Sequence, residues 1–250
     1  MDLKGNRLIL ISLVGLLVLA ACGPTVNPSP EATSGSSVAP VVDEIYIAVD
    51  GSGDYPALEQ AIAVAADRAT ITIGPGMYRL IAGLEIDKSL NLVGAGMNET
   101  EIVSGAPGYV IAFTGSGSFR AEGITFRHDG KQMADVVVVE RGSGDFRDCR
   151  FTGSIYEEGK GNRAGLRYRG QSRGTVEDSE ASGNDNTGIL VEEQAQPELR
   201  GNSCSNNEVV GIGYTDLAGG VALENECRGN SIGIGVAGKA KPTLERNRCH

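Results

Sequence analysis

The sequence contains no tryptophan, and aromatic residues make up only 5% of it. Glycine supplies 36 of the 250 residues, about twice its average usage in proteins. We therefore expect small side chains and frequent turns. Aromatic side chains that could stack on a ligand are scarce.

An excess of positive charge is also absent. Twenty-two Lys and Arg residues stand against 32 Asp and Glu residues, which gives a formal net charge of -10. Because nucleic acids and anionic membranes attract basic surfaces, the composition argues against both as partners. An anionic polysaccharide such as polygalacturonate is disfavoured for the same reason.

No apolar run is long enough for a comfortable membrane span, which needs about 20 residues. The longest run is the 14 residues 8–21, which follow Lys4 and Arg7 and are typical of an export signal. The sequence Leu19-Ala-Ala-Cys22 resembles a bacterial lipobox. This resemblance implies that Cys22 is the lipid anchor and that the protein is attached to a bacterial membrane, at the cell surface or in the periplasm.

Residues 23–40 contain four prolines among Ser, Thr and Gly, which is typical of an extended, flexible tether. The sequence thus predicts a signal peptide over 1–21, a tether over 22–42 and one folded domain over 43–250.

A repeat of about two dozen residues dominates the end of the chain. Equivalent glycines, asparagines and cysteines step by 23 and then by 22 residues, at Gly188/Gly211/Gly233, Asn202/Asn225/Asn247 and Cys204/Cys227/Cys249. Apolar residues alternate in short runs between turn residues, as in Ile189 and Val191, so each repeat reads as a coil of short strands. The pattern predicts an all-β fold, a right-handed parallel β-helix in which Ile189, Ile212 and Ile234 stack.

The start of the folded part follows a different pattern. Residues 44–49 are predicted to form a first strand and residues 50–54 a turn. Leu58, Ala61, Ile62 and Ala65 then recur at helical spacing, which predicts a helix over 56–69. We expect this α-helix to cap the N-terminal end of the β-helix, followed by seven to eight coils from Thr70 onward.

Several motifs resemble pectin methylesterases and, more broadly, the pectate-lyase-like superfamily. They are Asp50-Gly-Ser-Gly-Asp54-Tyr, Ile73-Gly-Pro-Gly76-Met-Tyr78, Leu92-Val-Gly-Ala-Gly96-Met, Gly123-Ile-Thr-Phe126 and Asp148-Cys-Arg-Phe151. The resemblance implies a catalytic set of two carboxylates, glutamines and an arginine on one sheet face. This chain has Ser154-Ile-Tyr156 where the family has Gln-Asp-Thr, and only Gln132 lies near an expected glutamine. We therefore carry over the fold and not the activity, and we predict no catalytic residue, cofactor or metal.

The cysteines and asparagines form two separate columns. Cys204, Cys227 and Cys249 occupy the position that Ala181, Phe151 and Phe126 hold in earlier coils, which indicates buried thiols. Disulfides, or a metal site with His250, are the alternatives. The asparagine column, joined by Ser179 and Cys149, predicts a hydrogen-bonded ladder in turns. His128 is interpreted as a surface residue of a turn.

One sheet face is the candidate for ligand binding. Alternation places Arg167 and Arg169 outward, with Glu192 one coil and Thr215 two coils further on, and Arg169 is predicted to face Glu192. The arrangement is either a solvated ion pair or a sugar-binding face. Gly213 and Gly235 keep this sheet shallow further down, which favours a groove.

Three functions follow as hypotheses. The first is a membrane-anchored β-helix acting as a binding platform for carbohydrate; the second is a polysaccharide esterase or lyase with divergent residues; the third is a structural spacer. Two carboxylates converging with an arginine on an outward face would favour the enzyme, and a smooth stripe of Gly, Ala and Thr would favour the platform.

End-to-end association through the C-terminal coil is a further expectation.

Overall fold

The computed structural model describes residues 42–250. The predicted signal peptide, Cys22 and nearly all of the tether lie outside the described residues. Within residues 42–250, no helix is both long enough and apolar enough to cross a membrane.

Three parallel sheets run the length of the described chain. The first has nine strands: β1 (Val42–Ile47), β2 (Ala65–Ile73), β5 (Leu90–Val93), β8 (Ser118–Glu122), β11 (Ser143–Arg147), β14 (Thr175–Glu177), β17 (Glu198–Arg200), β20 (Val221–Leu223) and β23 (Thr243–Glu245). The second has eight: β3 (Gly76–Arg79), β6 (Thr100–Ser104), β9 (Thr125–His128), β12 (Arg150–Thr152), β15 (Glu180–Ser182), β18 (Ser203–Ser205), β21 (Glu226–Arg228) and β24 (Arg248–Cys249). The third has seven: β4 (Leu84–Ile86), β7 (Gly108–Phe113), β10 (Ala134–Val139), β13 (Ala164–Tyr168), β16 (Thr187–Val191), β19 (Val210–Tyr214) and β22 (Ile232–Val236).

The predicted stacking is confirmed residue by residue. Ile189 pairs with Ile212, and Ile212 pairs with Ile234, each on the strand directly above or below. From β2 onward the chain completes seven three-strand coils and begins an eighth, as predicted, and β1 brings the solenoid to about nine turns.

The few aromatic residues are concentrated in the middle coils. All five phenylalanines are buried there, and their ring centroids lie 5.3–5.8 Å apart in stacked and edge-on pairs, in Phe113, Phe119, Phe126, Phe146 and Phe151. Further along, smaller side chains such as Ala181 and Cys204 take the equivalent core positions. The phenylalanines thus fill the core of the middle coils, and Tyr214 is a large buried side chain in the shorter coils that follow.

The capping helix is shorter than predicted. Helix α1 covers Leu58–Val64 and buries Leu58, Ala61 and Ile62. From Ala65 the backbone is extended, because Ala65–Ile73 forms β2 and pairs with both β1 and β5. The helical spacing of Ala65 was therefore misleading, since its pairing with Val42 of β1 places it in a strand. The helix packs against β1 and β2, the first two strands of the nine-stranded sheet.

Asparagines hold the turns between the nine-stranded and eight-stranded sheets. The backbone N–H of Cys149 donates to Ser179, that of Ser179 to Asn202, that of Asn202 to Asn225 and that of Asn225 to Asn247, over 2.9–3.1 Å. This ladder is the predicted one. A second ladder, predicted only at Asn207 and Asn230, also includes Asn184 one coil earlier.

Cys204, Cys227 and Cys249 stack in one column as free thiols, as predicted, but the predicted burial is wrong for Cys249, which is exposed in the last coil. In the strand register, Cys204 lies opposite Cys227 and Cys227 lies opposite Cys249. None of the four described cysteines forms a disulfide bond. Cys149 and Cys204 are fully buried, whereas Cys249 is exposed. Burial raises the pKa of Cys149 to about 12. The pKa of Cys204 is also raised, mainly by its hydrogen bond with Cys227 and in addition by burial.

These differences predict an order of thiol labelling. Because the thiolate is the reactive form and must reach the reagent, iodoacetamide at pH 8 is expected to alkylate Cys249 first in the folded protein. Cys149 and Cys204 should react at least 100-fold more slowly, and all four should react in denaturant. Peptide mapping by mass spectrometry measures each site, and equal labelling of Cys149 and Cys249 in the native state would contradict the arrangement.

His128 is not the surface residue that was predicted. It ends β9 and is buried, with Nδ1 3.2 Å from the carbonyl oxygen of Gly153 and Nε2 3.1 Å from that of Ala106. These carbonyls belong to the coils on either side. The ring therefore ties three successive coils together, which a residue pattern read one coil at a time does not reveal.

Candidate functional site

The outer face of the seven-stranded sheet carries the predicted ligand residues. Leu166 and Tyr168 point into the core and are fully buried, as alternation along β13 requires. Arg167 and Arg169 therefore project from the opposite face. Glu192 follows β16 in the next coil, and Thr215 follows β19 in the coil after it.

Arg167 is the centre of an ion cluster. Its Nε and Nη2 lie 2.9 and 2.6 Å from Glu192 Oε1, and its Nη1 lies 3.1 Å from Asp135 Oδ2. All three residues are at least 90% buried. The guanidinium is thus held between two carboxylates from the coils on either side.

Arg169 faces Glu192, as predicted, but its closer partner is Glu193. Its Nε is 3.6 Å from Glu192 Oε1, but its Nη2 donates to Glu193 at 2.8 Å. The hydrogen bond from Arg169 lowers the pKa of Glu193. The closer partner of Glu192 is Arg167, because the two side chains share the more buried part of the face.

Sequence reasoning missed Asp135 and Arg163. Asp135 Oδ1 accepts a 2.8 Å hydrogen bond from the backbone N–H of Ala164, and Arg163 Nη1 lies 3.7 Å from Asp135 Oδ2. Asp135 lies before an insertion, residues 154–163, which lengthens its coil beyond the 22–23-residue repeat. The repeat spacing therefore could not align it with Arg167. The strand β10 reads Ala134-Asp-Val-Val-Val-Val139, with no alternation of polar and apolar residues, so the local pattern gave no signal either.

Burial controls the charge of this cluster. Burial raises the pKa of Asp135, and the attraction of Arg167 and the hydrogen bond from Ala164 offset only part of that effect. A carboxyl group of this kind can hold a proton more readily than an exposed one. The cluster also contains the Nε of Arg163, which is buried and has no hydrogen-bond partner among the described residues.

A groove continues along the same face below the cluster. It has a volume of about 280 Å³ and is lined by side chains and backbone of β16, β19 and β22, with Thr215 at its edge. Leu190, Gly213 and Gly235 pair in successive strands and form its floor. None of the lining residues is charged. The structure thus brings Thr215 to the groove and the other three predicted residues to the ion cluster.

Neither a metal nor a cofactor site is evident in this region. Residues 42–250 contain no group of three or more His, Cys, Asp or Glu side chains arranged to hold a metal ion. A ligand on this face could form hydrogen bonds and charge interactions with the ion cluster. It could make apolar contacts with the groove.

Comparison with known proteins identifies the fold. The family model described as "Right handed beta helix region" matches residues 102–250. Similar solved structures include a mannuronan C-5 epimerase A-module from Azotobacter vinelandii (15% identity, TM-score 0.56, 70% of this chain and 54% of that one) and the Dettilon tailspike protein (12%, 0.58, 76% and 46%). The pectin methylesterase from carrot is 21% identical, with a TM-score of 0.51 over 80% of this chain and 65% of that one.

Sequence identities at this level show that the fold is shared, and they do not show a shared activity or ligand. The chain spans about half the length of the epimerase module and of the tailspike. No curated protein sequence is significantly similar to the chain. The expected pectate-lyase-like fold is confirmed, including its right-handed coiling.

Proposed function

The chain belongs to the right-handed β-helix family, and from this premise we propose that it is an exported, lipid-anchored member whose seven-stranded sheet binds carbohydrate on its outer face. The observation that carries the proposal is the uncharged groove beside the Arg167 cluster. Two of the similar structures are enzymes named for polysaccharides, pectin and mannuronan. A β-helix offers such ligands a straight, rigid surface.

The groove suits an extended, uncharged ligand. Its floor is made by one position of successive coils, so its long direction follows the axis of the solenoid. Leu190 in the floor and Val210 in the lining can contact the apolar face of a sugar ring. Thr187 and Thr215 can hydrogen-bond its hydroxyl groups. The formal charge of -10 disfavours an anionic polymer.

The membrane anchor in this proposal rests on the sequence of residues 1–22. The basic residues Lys4 and Arg7, the apolar run 8–21 and Cys22 together support export and lipidation. Two or three acyl chains on Cys22 would hold the protein on a membrane, because each buried CH₂ contributes about 0.8 kcal/mol.

Filling the groove tests the platform directly. A Cβ added to Gly213 would lie 3.4–3.7 Å from Leu190, Thr187 and Val210, which is ordinary van der Waals contact. Gly213→Val is therefore expected to fold with stability within about 1 kcal/mol of wild type, since valine also suits a strand. It should weaken glycan binding at least 10-fold on a glycan array confirmed by calorimetry.

Ser205→Val is the matched control. It places the same side chain on the outer face of the eight-stranded sheet, one position after the buried Cys204. Its binding should equal that of wild type. Unchanged binding in Gly213→Val, or no glycan binding by the wild-type protein, would argue against the platform and favour the structural spacer.

A polysaccharide esterase or lyase is the second candidate, because two buried carboxylates converge on Arg167. The raised pKa of Asp135 would suit a general acid. Both carboxylates are occupied by Arg167, however, which favours the platform. The glycans that bind on the array are then incubated with wild type and with Asp135→Asn. Assays for released reducing sugar and for released methanol separate turnover from binding.

A further inference from the structure

A second cavity lies on a different sheet from the groove. It has a volume of about 620 Å³ and crosses β5, β8, β11 and β14 on the outer face of the nine-stranded sheet. This volume is within the range of ordinary ligand pockets. No sequence motif pointed to this face, and the proposed platform does not use it.

Asp145 is fixed at the centre of this cavity. Its carboxylate accepts hydrogen bonds from Ser118 Oγ at 3.2 Å, from Ser143 Oγ at 3.2 Å, and from both the backbone N–H and Oγ1 of Thr175 at 3.0 and 3.2 Å. These groups come from three successive coils. The carboxylate is therefore held in one orientation before any ligand arrives.

Arg120 stands beside this carboxylate with its donors free. It lies one coil before Asp145 in the same outward row, and its Nε is 3.7 Å from Asp145 Oδ2, too far for a hydrogen bond. Its side chain is 67% exposed and makes no hydrogen bond to any residue within 42–250. By contrast, Arg147 in the same cavity is paired with Glu177 at 2.7 Å.

The fixed acceptor and the free donor define the kind of ligand. A hydroxyl group can accept from Arg120 and donate to Asp145 Oδ2 in place of one of the two serine hydroxyls that now bond it, whereas a carboxylate or an ammonium group can satisfy only one of the two side chains. The lining residues carry three carboxylates and two guanidinium groups, so an anionic ligand is disfavoured. The lining also offers the hydroxyl groups of Thr70 and Thr175 and the amide of Asn91. We propose that this cavity is a second binding site, for a neutral oligosaccharide, in which Arg120 and Asp145 bind a sugar hydroxyl together.

The test uses the full chain and defined probes. Neutral hexasaccharides of β-1,4-glucan and β-1,4-mannan, and an anionic oligogalacturonate, are titrated by calorimetry against wild type, Arg120→Gln and Asp145→Asn, each with and without Gly213→Val. Arg120→Gln removes the charge of an exposed residue and should fold normally, which circular dichroism checks. Arg200→Gln is the matched control, since Arg200 projects from the same sheet further along and is paired with Glu198.

In the Gly213→Val background, in which the groove is filled, we expect at least one neutral hexasaccharide to bind, with a 10-fold or greater loss when Arg120→Gln or Asp145→Asn is added and no change when Arg200→Gln is added. Equal affinity with and without Arg120→Gln in that background, tighter binding of oligogalacturonate, or no binding of either neutral probe would each overturn the assignment. If Gly213→Val removes all the binding and Arg120→Gln removes none, the platform proposal stands and the second site does not exist.

Discussion

Replacing Asn225 by alanine is expected to lower the free energy of unfolding by about 3–5 kcal/mol, because each buried polar group left without a partner costs roughly 1–3 kcal/mol. Asn225 is fully buried. Its Oδ1 accepts from the backbone N–H and the side-chain amide of Asn202, both at 2.9 Å, and its Nδ2 donates to the carbonyl of Leu199 at 2.9 Å. Alanine removes all of these bonds without admitting water to replace them.

Urea unfolding followed by circular dichroism measures the loss, and hydrogen exchange shows where it falls. Because each coil contacts only its neighbours, exchange should accelerate most in the coils that contain Asn202 and Asn225. Asn162→Ala is the control, since Asn162 is exposed in the insertion and its replacement should change stability by less than 0.5 kcal/mol. A loss below 1 kcal/mol in Asn225→Ala would mean that the ladder is not an essential part of the turns.

The ladder also shows why so much of this fold could be read from the sequence. Once the repeat is 22–23 residues long, equivalent residues such as Asn202 and Asn225 must stack, and their partners follow from register alone. The fold, the core column of cysteines and the shallow floor at Gly213 were therefore predictable. Each depends on residues one coil apart.

The features that were missed depend on something other than the repeat. Asp135 joins Arg167 across a coil lengthened by residues 154–163, so no fixed spacing connects them. Ala65 has helical spacing but lies in β2, because pairing with β1 overrides local preference. His128 is buried by contacts to the coils before and after it. In each of these cases tertiary neighbours, and not local sequence, determine the environment.

Replacing Arg167 by methionine is expected to cost about 3–5 kcal/mol of stability at pH 7, which is the usual penalty for leaving a buried charge without its partner. Asp135 and Glu192 would then share a buried region with no cation in hydrogen-bond contact with either. The side-chain volume of methionine is close to that of the aliphatic part of arginine. The stability lost in Arg167→Met therefore measures the effect of removing the charge more than the effect of changing the packing.

The pH dependence distinguishes this explanation from a packing defect. Burial already raises the pKa of Asp135 in the wild-type protein, and removing Arg167, whose charge opposes that effect, raises the folded-state pKa of Asp135 further. A group whose pKa is raised on folding contributes stability that is fully present below its unfolded pKa and is lost as pH rises through the folded pKa. Arg167→Met should therefore recover stability relative to wild type as pH falls from 7 to 5.

Adding Asp135→Asn and Glu192→Gln to Arg167→Met should recover most of the loss at pH 7, because no buried carboxylate is then left without the cation that Arg167 supplied. Arg147→Met is the surface control: its partner Glu177 and Arg147 itself are solvent-exposed or half-buried, so the pair is worth under about 1 kcal/mol. A loss in Arg167→Met that is the same at pH 5 and pH 7 and is not rescued by the two amides would show that Arg167 acts by packing. The carboxylates would then be unsuited to hold the proton that the enzyme hypothesis requires.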